Sequence, residues 1–134
     1  FRSYRPGVGW AVDELVRIAR GARVAVSSTG PAGSVIPDLE RAGVRVVPVP
    51  TAMWRAACGW FYDAVIDRKL VVQKHRDLDA AVAAAEKRTS GDAFVWDRRQ
   101  GDISPLVALT CAAYVGLTQP ASEVGFVSLD DYVD

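Results

Sequence analysis

Apolar residues recur along this chain with two different periods, and the switches between them mark its elements. Val12, Leu15, Val16 and Ala19 follow the spacing of one helical face, with Gly21 at the C-terminal cap position, so a helix is predicted over residues 9–20. A short β-type run at 23–26 gives way to Ser27-Ser28-Thr29-Gly30-Pro31-Ala32-Gly33, a cluster of loop formers. Val35, Leu39 and Ala42 share one side of a second helix over 34–42, which stops at Gly43. Residues 44–49 form the next strand. Pro48 inside it has no N–H for a ladder, which implies a sheet edge or an early end. The order helix, strand, helix, strand favours parallel pairing through right-handed crossovers.

Thr51 is placed to cap a longer helix over 51–68, with Trp54, Ala57, Cys58, Phe61, Tyr62 and Val65 as its apolar stripe. That stripe reads as core or as a partner-facing surface. An irregular bridge containing His75 leads to a helix over 77–87, and a third strand covers 93–97. Ser104-Pro105 opens the last helix, with Ser104 as N-cap and Pro105 at the first helical position. Leu106, Leu109 and Ala113 on one flank, with Val107, Thr110 and Tyr114 on the other, predict that this helix is well buried. Beyond Gly116 the pattern is mixed, and Asp130-Asp131-Tyr132-Val133-Asp134 reads as a loose acidic end. The domain accordingly covers residues 1–118, followed by a tail over 119–134.

Composition narrows the class. A chain of 134 residues is long enough for one domain with a core and too short for two. Hydrophobic residues make up 50% and charged ones 24%, a globular rather than a disordered balance. Sixteen basic residues offset sixteen acidic ones, so overall charge cannot steer the chain to nucleic acid, and any DNA contact needs a local basic patch. No apolar run approaches the roughly 18 residues of a membrane span, and no signal-peptide pattern is present. Cys58 and Cys111 lie far apart within apolar helical patterns and read as buried free thiols, which fits an intracellular, reducing compartment. The chain opens at Phe1 almost directly on a helix pattern and reads as part of something longer.

Ligands of open α/β sheets gather at the carboxyl ends of parallel strands, which selects residues 27–33 and 97–102. Asp102 lies two residues before a helix start, where the helix dipole keeps a carboxylate ionised. That is the state a hard cation such as Mg²⁺ requires. An ordinary loop aspartate supporting the cap is the competing reading. In Trp96-Asp97-Arg98-Arg99, either arginine is suited to a phosphate contact. An Asp97–arginine surface pair, worth about 0–1 kcal/mol, is the equal alternative. Residues 27–34 are suited to an anion at a helix start, but no Gly-Lys-Ser/Thr follows there or elsewhere, which excludes a P-loop ATPase module. His75, the only histidine, has no cysteine or carboxylate in ligand spacing and reads as structural. Asp13 and Glu14 complement the dipole of the first helix.

Three stretches carry a family resemblance. They are Val24-Ala25-Val26-Ser27-Ser28-Thr29-Gly30-Pro31-Ala32-Gly33-Ser34, Leu78-Asp79-Ala80-Ala81-Val82, and Gly91-Asp92-Ala93-Phe94-Val95-Trp96-Asp97-Arg98-Arg99. The last leads into Asp102-Ile103-Ser104-Pro105-Leu106-Val107-Ala108. Ala57-Cys58-Gly59 ahead of Tyr62-Asp63-Ala64-Val65 fits the same pattern. In order and spacing they resemble the C-terminal nuclease domain of terminase large subunits from actinobacterial phages and prophages, over roughly residues 4–117.

The resemblance implies an α/β, ribonuclease H-like nuclease fold, here partial and without its N-terminal strands, with a mixed or parallel sheet flanked by helices. It implies metal-dependent endonucleolytic cleavage of concatemeric viral DNA during genome packaging, by a two-metal site holding Mg²⁺ or Mn²⁺. The implied partners are double-stranded DNA, a terminase ATPase domain, a small terminase subunit and a portal, with no membrane, in the cytoplasm of a bacterial host. Asp102 matches the family's late acidic ligand and is the expected catalytic and metal-binding residue. Asp97 is a second candidate ligand, and Ser27 stands where an acidic ligand usually closes the strand. The family's first aspartate would precede Phe1, and His75 falls out of register with a histidine common in relatives. Arg98, Arg99, Thr29 and Gly30 are the expected DNA or phosphate contacts.

Loss of even an outer partner of a metal ligand typically costs about 10–100-fold in activity or affinity, so little nuclease activity is expected from this chain alone. Ser27 favours an alternative, a degenerate, non-catalytic prophage remnant that keeps a DNA- or partner-binding scaffold. A small-ligand or phosphoacceptor α/β domain is a third reading. The lack of an acidic cluster at the first strand end counts against it.

Overall fold

A computed structural model describes residues 10–119, which form a mixed α/β structure of five helices and two two-stranded sheets. Helix α1 (Ala11–Ala19) ends where Arg20 and Gly21 both turn left-handed. Strand β1 (Arg23–Ser27) follows and pairs in parallel with β2 (Arg45–Val49), with Arg23 opposite Arg45 and Ser27 opposite Val49. The connection holds a 3₁₀ turn at Pro31–Val35 and a short helix, α2 (Ile36–Arg41). The second helix therefore starts later than its apolar spacing predicts. The Ser34 hydroxyl donates to the Pro31 carbonyl at 3.0 Å, closing the tighter turn instead of capping an α-helix. Among the described residues β2 pairs only with β1, so Pro48 sits exposed on an edge strand, one of the two readings its position allowed.

Helix α3 (Thr51–Ile66) buries Trp54, Ala57, Cys58, Phe61 and Ala64, a stripe at helical spacing that packs on the third and fourth strands' hairpin and the last helix. Tyr62 and Val65, predicted to belong to that stripe, are exposed. Thr51 is the first helical residue rather than the cap. Pro50 holds the cap position without a side-chain hydrogen bond. Helix α4 (Arg76–Ala84) is capped by His75, whose Nδ1 accepts the Asp77 N–H at 3.1 Å, so this histidine has a structural task.

The predicted helix over 77–87 is shorter in the structure, because Ala85 turns extended and an antiparallel hairpin begins at Lys87. Strand β3 (Lys87–Ser90) pairs with β4 (Ala93–Trp96), Lys87 opposite Trp96 and Ser90 opposite Ala93. Gly91 turns the chain at φ 63°, a conformation that a two-residue hairpin turn reserves for glycine. The Asp97 N–H extends the ladder by donating to the Glu86 carbonyl at 2.7 Å. The third predicted strand thus forms its own sheet with β3 and does not extend the parallel pair.

Helix α5 (Ser104–Thr118) packs on β1, α3 and α4 and buries Leu106, Thr110, Cys111 and Val115. Of the two predicted flanks only Leu106 and Thr110 are fully buried; Val107, Leu109, Ala113 and Tyr114 are half-buried, because the buried face runs between the flanks through Cys111 and Val115. Its start corrects the sequence reading. Ile103 holds the cap position, Ser104 is already helical, and Asp102 supplies the capping oxygen by accepting the Ser104 N–H at 3.0 Å. The predicted tail lies outside the described residues except for Gln119, whose carbonyl accepts from Arg23 at 2.7 Å. No helix of the described residues is long and apolar enough to cross a membrane.

Cys58 and Cys111 are buried free thiols in the core between α3 and α5, as their apolar surroundings predict. Burial pushes the Cys58 thiol up from about 9 to about 12 and the Cys111 thiol to about 11. A raised acid pKa means that the folded state keeps protons the unfolded chain has lost. Their contribution is therefore complete below pH 9 and is lost as pH rises through the folded values. Urea midpoints are expected to hold from pH 7 to about 9 and to fall toward pH 12. A thiol-specific disulfide reagent at pH 8 should label both cysteines only after unfolding. Rapid labelling of the native protein would contradict the burial argument.

Candidate nucleic-acid interface

The carboxyl ends of β1 and β2 and the end of the hairpin converge on one cleft. Thr29, Thr51, Trp54, Arg88, Ser90, Val95, Trp96, Asp97, Arg98 and Arg99 line about 230 Å³. The loop after β1, at the carboxyl end of the parallel pair, and the segment after β4 meet there, although β4 lies in an antiparallel hairpin to which the strand-end rule does not apply. Arg98 makes the junction. Its Nη2 donates to the buried Ser27 hydroxyl at 3.0 Å, and its Cζ lies 5.1 Å from the centre of the Trp54 ring. Ser27 is also 3.4 Å from the Thr29 hydroxyl. Gly30 is needed for this approach, because a Cβ there would overlap the Arg98 Nη1.

The electrostatics follow from these contacts. Arg98 is half-buried, and burial pulls its pKa below the usual value, with Arg88 nearby pulling the same way. Arginine keeps its proton regardless, so the cleft holds a partly desolvated guanidinium. Asp97 is buried and engaged by Arg99: Nε to Oδ1 at 2.9 Å, Nη2 to Oδ2 at 3.1 Å, and the Arg99 main-chain N–H to Oδ1 at 3.0 Å. This fork, by hydrogen bond and then by charge, raises the Arg99 pKa. The Asp97–arginine pair is thus present, with a buried carboxylate and an exposed arginine. Three guanidiniums face one carboxylate along the lining, leaving two positive charges in excess.

The structure brings together Ser27, Thr29, Gly30, Asp97, Arg98 and Arg99. Asp102 is exposed, lies outside the cleft lining, and caps α5. Sequence reasoning missed Arg88, Thr51 and Ser90 and took Trp54 for core or partner surface alone. Lys87-Arg88 is a visible basic pair, but it stands at the end of the helix predicted over 77–87 rather than on a strand. The donor set does not fit Mg²⁺ or Mn²⁺: both Asp97 oxygens hold Arg99, Ser27 offers a hydroxyl already facing a guanidinium, and excess positive charge opposes a divalent cation. Among the described residues, no three of His, Cys, Asp and Glu gather where they could hold a metal. Oxyanions suit these donors.

No protein-family model, curated protein or solved structure matches this chain.

Proposed function

We propose that this domain holds DNA by its phosphates, as the non-catalytic scaffold of a terminase-type nuclease domain with a ribonuclease H-like ancestry. The single observation that carries this reading is Arg98, a half-buried guanidinium at the carboxyl end of β1 whose only hydrogen bond among the described residues is to Ser27. Arg88 and Arg99 extend its positive field to the rim, and the start of α3 at Thr51 adds the positive end of a helix dipole. Contacts of this type position a backbone and carry no base specificity.

Fluorescence anisotropy with a labelled 20-base-pair duplex tests it. Binding is expected in the range of about 10⁻⁴–10⁻⁶ M, independent of sequence, with log K falling against log salt at a slope of about −2 to −3 for two or three neutralised phosphates. Absence of binding at 50 mM salt would remove the reading.

Metal-dependent DNA cleavage is the second reading, and Asp102 favours it by matching the late acidic ligand of the resemblance at the amino end of α5. Plasmid DNA incubated with Mn²⁺ is expected to stay uncut by the parent and by Asp102→Ala alike. Cutting by the parent that disappears in the variant would move the assignment back to the nuclease.

A further inference from the structure

We propose that the cleft receives the terminal phosphomonoester of a DNA end, with the Arg98 guanidinium at its floor and Arg88 and Arg99 at its rim. The inference rests on the DNA reading above and specifies which phosphate enters. Size is the first argument. At about 230 Å³ the cleft is smaller than the roughly 300 Å³ of the smallest ordinary ligand pockets, so it suits a phosphate with part of its sugar. An internal phosphate brings two flanking nucleotides with it, whereas a terminal one brings only one.

Charge is the second argument. The lining carries two positive charges in excess, and a phosphomonoester carries about −1.5 to −2 at neutral pH against −1 for a diester. The terminal group therefore neutralises the cleft more fully. Donors are the third. A guanidinium presents five N–H donors in a planar fork, and among the described residues Arg98 gives one hydrogen bond, to Ser27, and meets no carboxylate. Thr29 and Thr51 add hydroxyl-bearing residues to the lining, and Thr51 opens the 16-residue α3. Arg88 lies near enough to disfavour the charge on Arg98, and an entering dianion relieves that repulsion.

The test uses the whole chain and four 20-base-pair ligands of one sequence: hydroxyl ends, 5′-phosphate ends, 3′-phosphate ends, and a dumbbell closed by hairpin loops. Competition anisotropy at fixed salt is expected to rank one phosphorylated duplex about tenfold above the hydroxyl and dumbbell forms, the size of an added charge-assisted contact. Millimolar inorganic phosphate should erase that margin. Arg88→Ala removes an exposed rim charge, and Gly30→Ala keeps every charge while displacing the Arg98 head; each should abolish the preference. Equal affinity for all four ligands overturns this inference and leaves the DNA reading standing. Binding to none removes both. A preference that survives in both variants places the end-recognising group elsewhere and also overturns it.

Discussion

Arg98→Ala is expected to weaken duplex DNA binding by about 10- to 100-fold, the loss that follows removal of charge-assisted hydrogen bonds worth about 1.5–3 kcal/mol. The fold should survive. Ser27 keeps the Thr29 hydroxyl as a neighbour at 3.4 Å, and the Trp54 ring loses a cation–π contact worth about 0.5–1 kcal/mol. Removing a partly desolvated cation partly offsets that loss. Arg99→Ala should behave differently. It leaves the buried Asp97 carboxylate with a main-chain N–H but without its guanidinium fork, so its effect on stability should exceed its effect on binding. Anisotropy and urea midpoints on the two variants separate these outcomes. Equal DNA affinity for parent and Arg98→Ala would show that the cleft is not the binding surface.

The alternation of apolar positions made the helices legible, because each long helix buries one face at a spacing that the chain displays openly. Leu39, Trp54, Cys58, Phe61 and Leu106 were all visible as inward residues, and all are buried. The β3–β4 hairpin was not legible. Lys87, Arg88 and Thr89 are exposed, so no apolar alternation announces a strand, and only pairing with β4 makes it one. Helix starts were misread for a related reason. Ser104 and Thr51 are residue types that cap, but the Asp102 carboxylate and Pro50 stand one or two positions earlier and take the boundary.

The site was legible in halves. Strand-end reasoning found the loop after β1 and the segment after β4 separately. It could not show that Arg98 crosses between them, since that contact spans 71 positions of sequence. The join changes the chemistry. Where the resemblance expects an acidic side chain, Ser27 accepts a hydrogen bond from a guanidinium, so the local field is inverted from cation-attracting to anion-attracting. A serine in place of an aspartate would by itself only weaken a metal site. A serine paired with an arginine offers a different ligand class.

Trp96→Ala is expected to cost about 3–5 kcal/mol, a large share of the roughly 5–15 kcal/mol that holds a domain together. Trp96 closes β4 against α5. Its indole N–H donates to the buried Thr110 hydroxyl at 3.1 Å, and that hydroxyl in turn donates to the Leu106 carbonyl at 2.8 Å. The ring also meets Phe94 edge-on at 5.5 Å. Thr110→Val changes little volume but leaves the indole N–H buried without a partner, so it should cost about 1–3 kcal/mol on its own. In a Trp96→Phe background the donor is already gone, and the same substitution should cost less than about 0.5 kcal/mol, since replacing both members of a buried pair by apolar groups is nearly neutral. Urea unfolding of the four proteins measures this coupling, with an unchanged denaturant slope as the check on two-state behaviour. Identical costs for Thr110→Val in both backgrounds would mean the hydrogen bond contributes nothing. Because Trp96 lines the cleft and its hairpin carries Arg88, Trp96→Ala should also lower DNA affinity although it removes no charge.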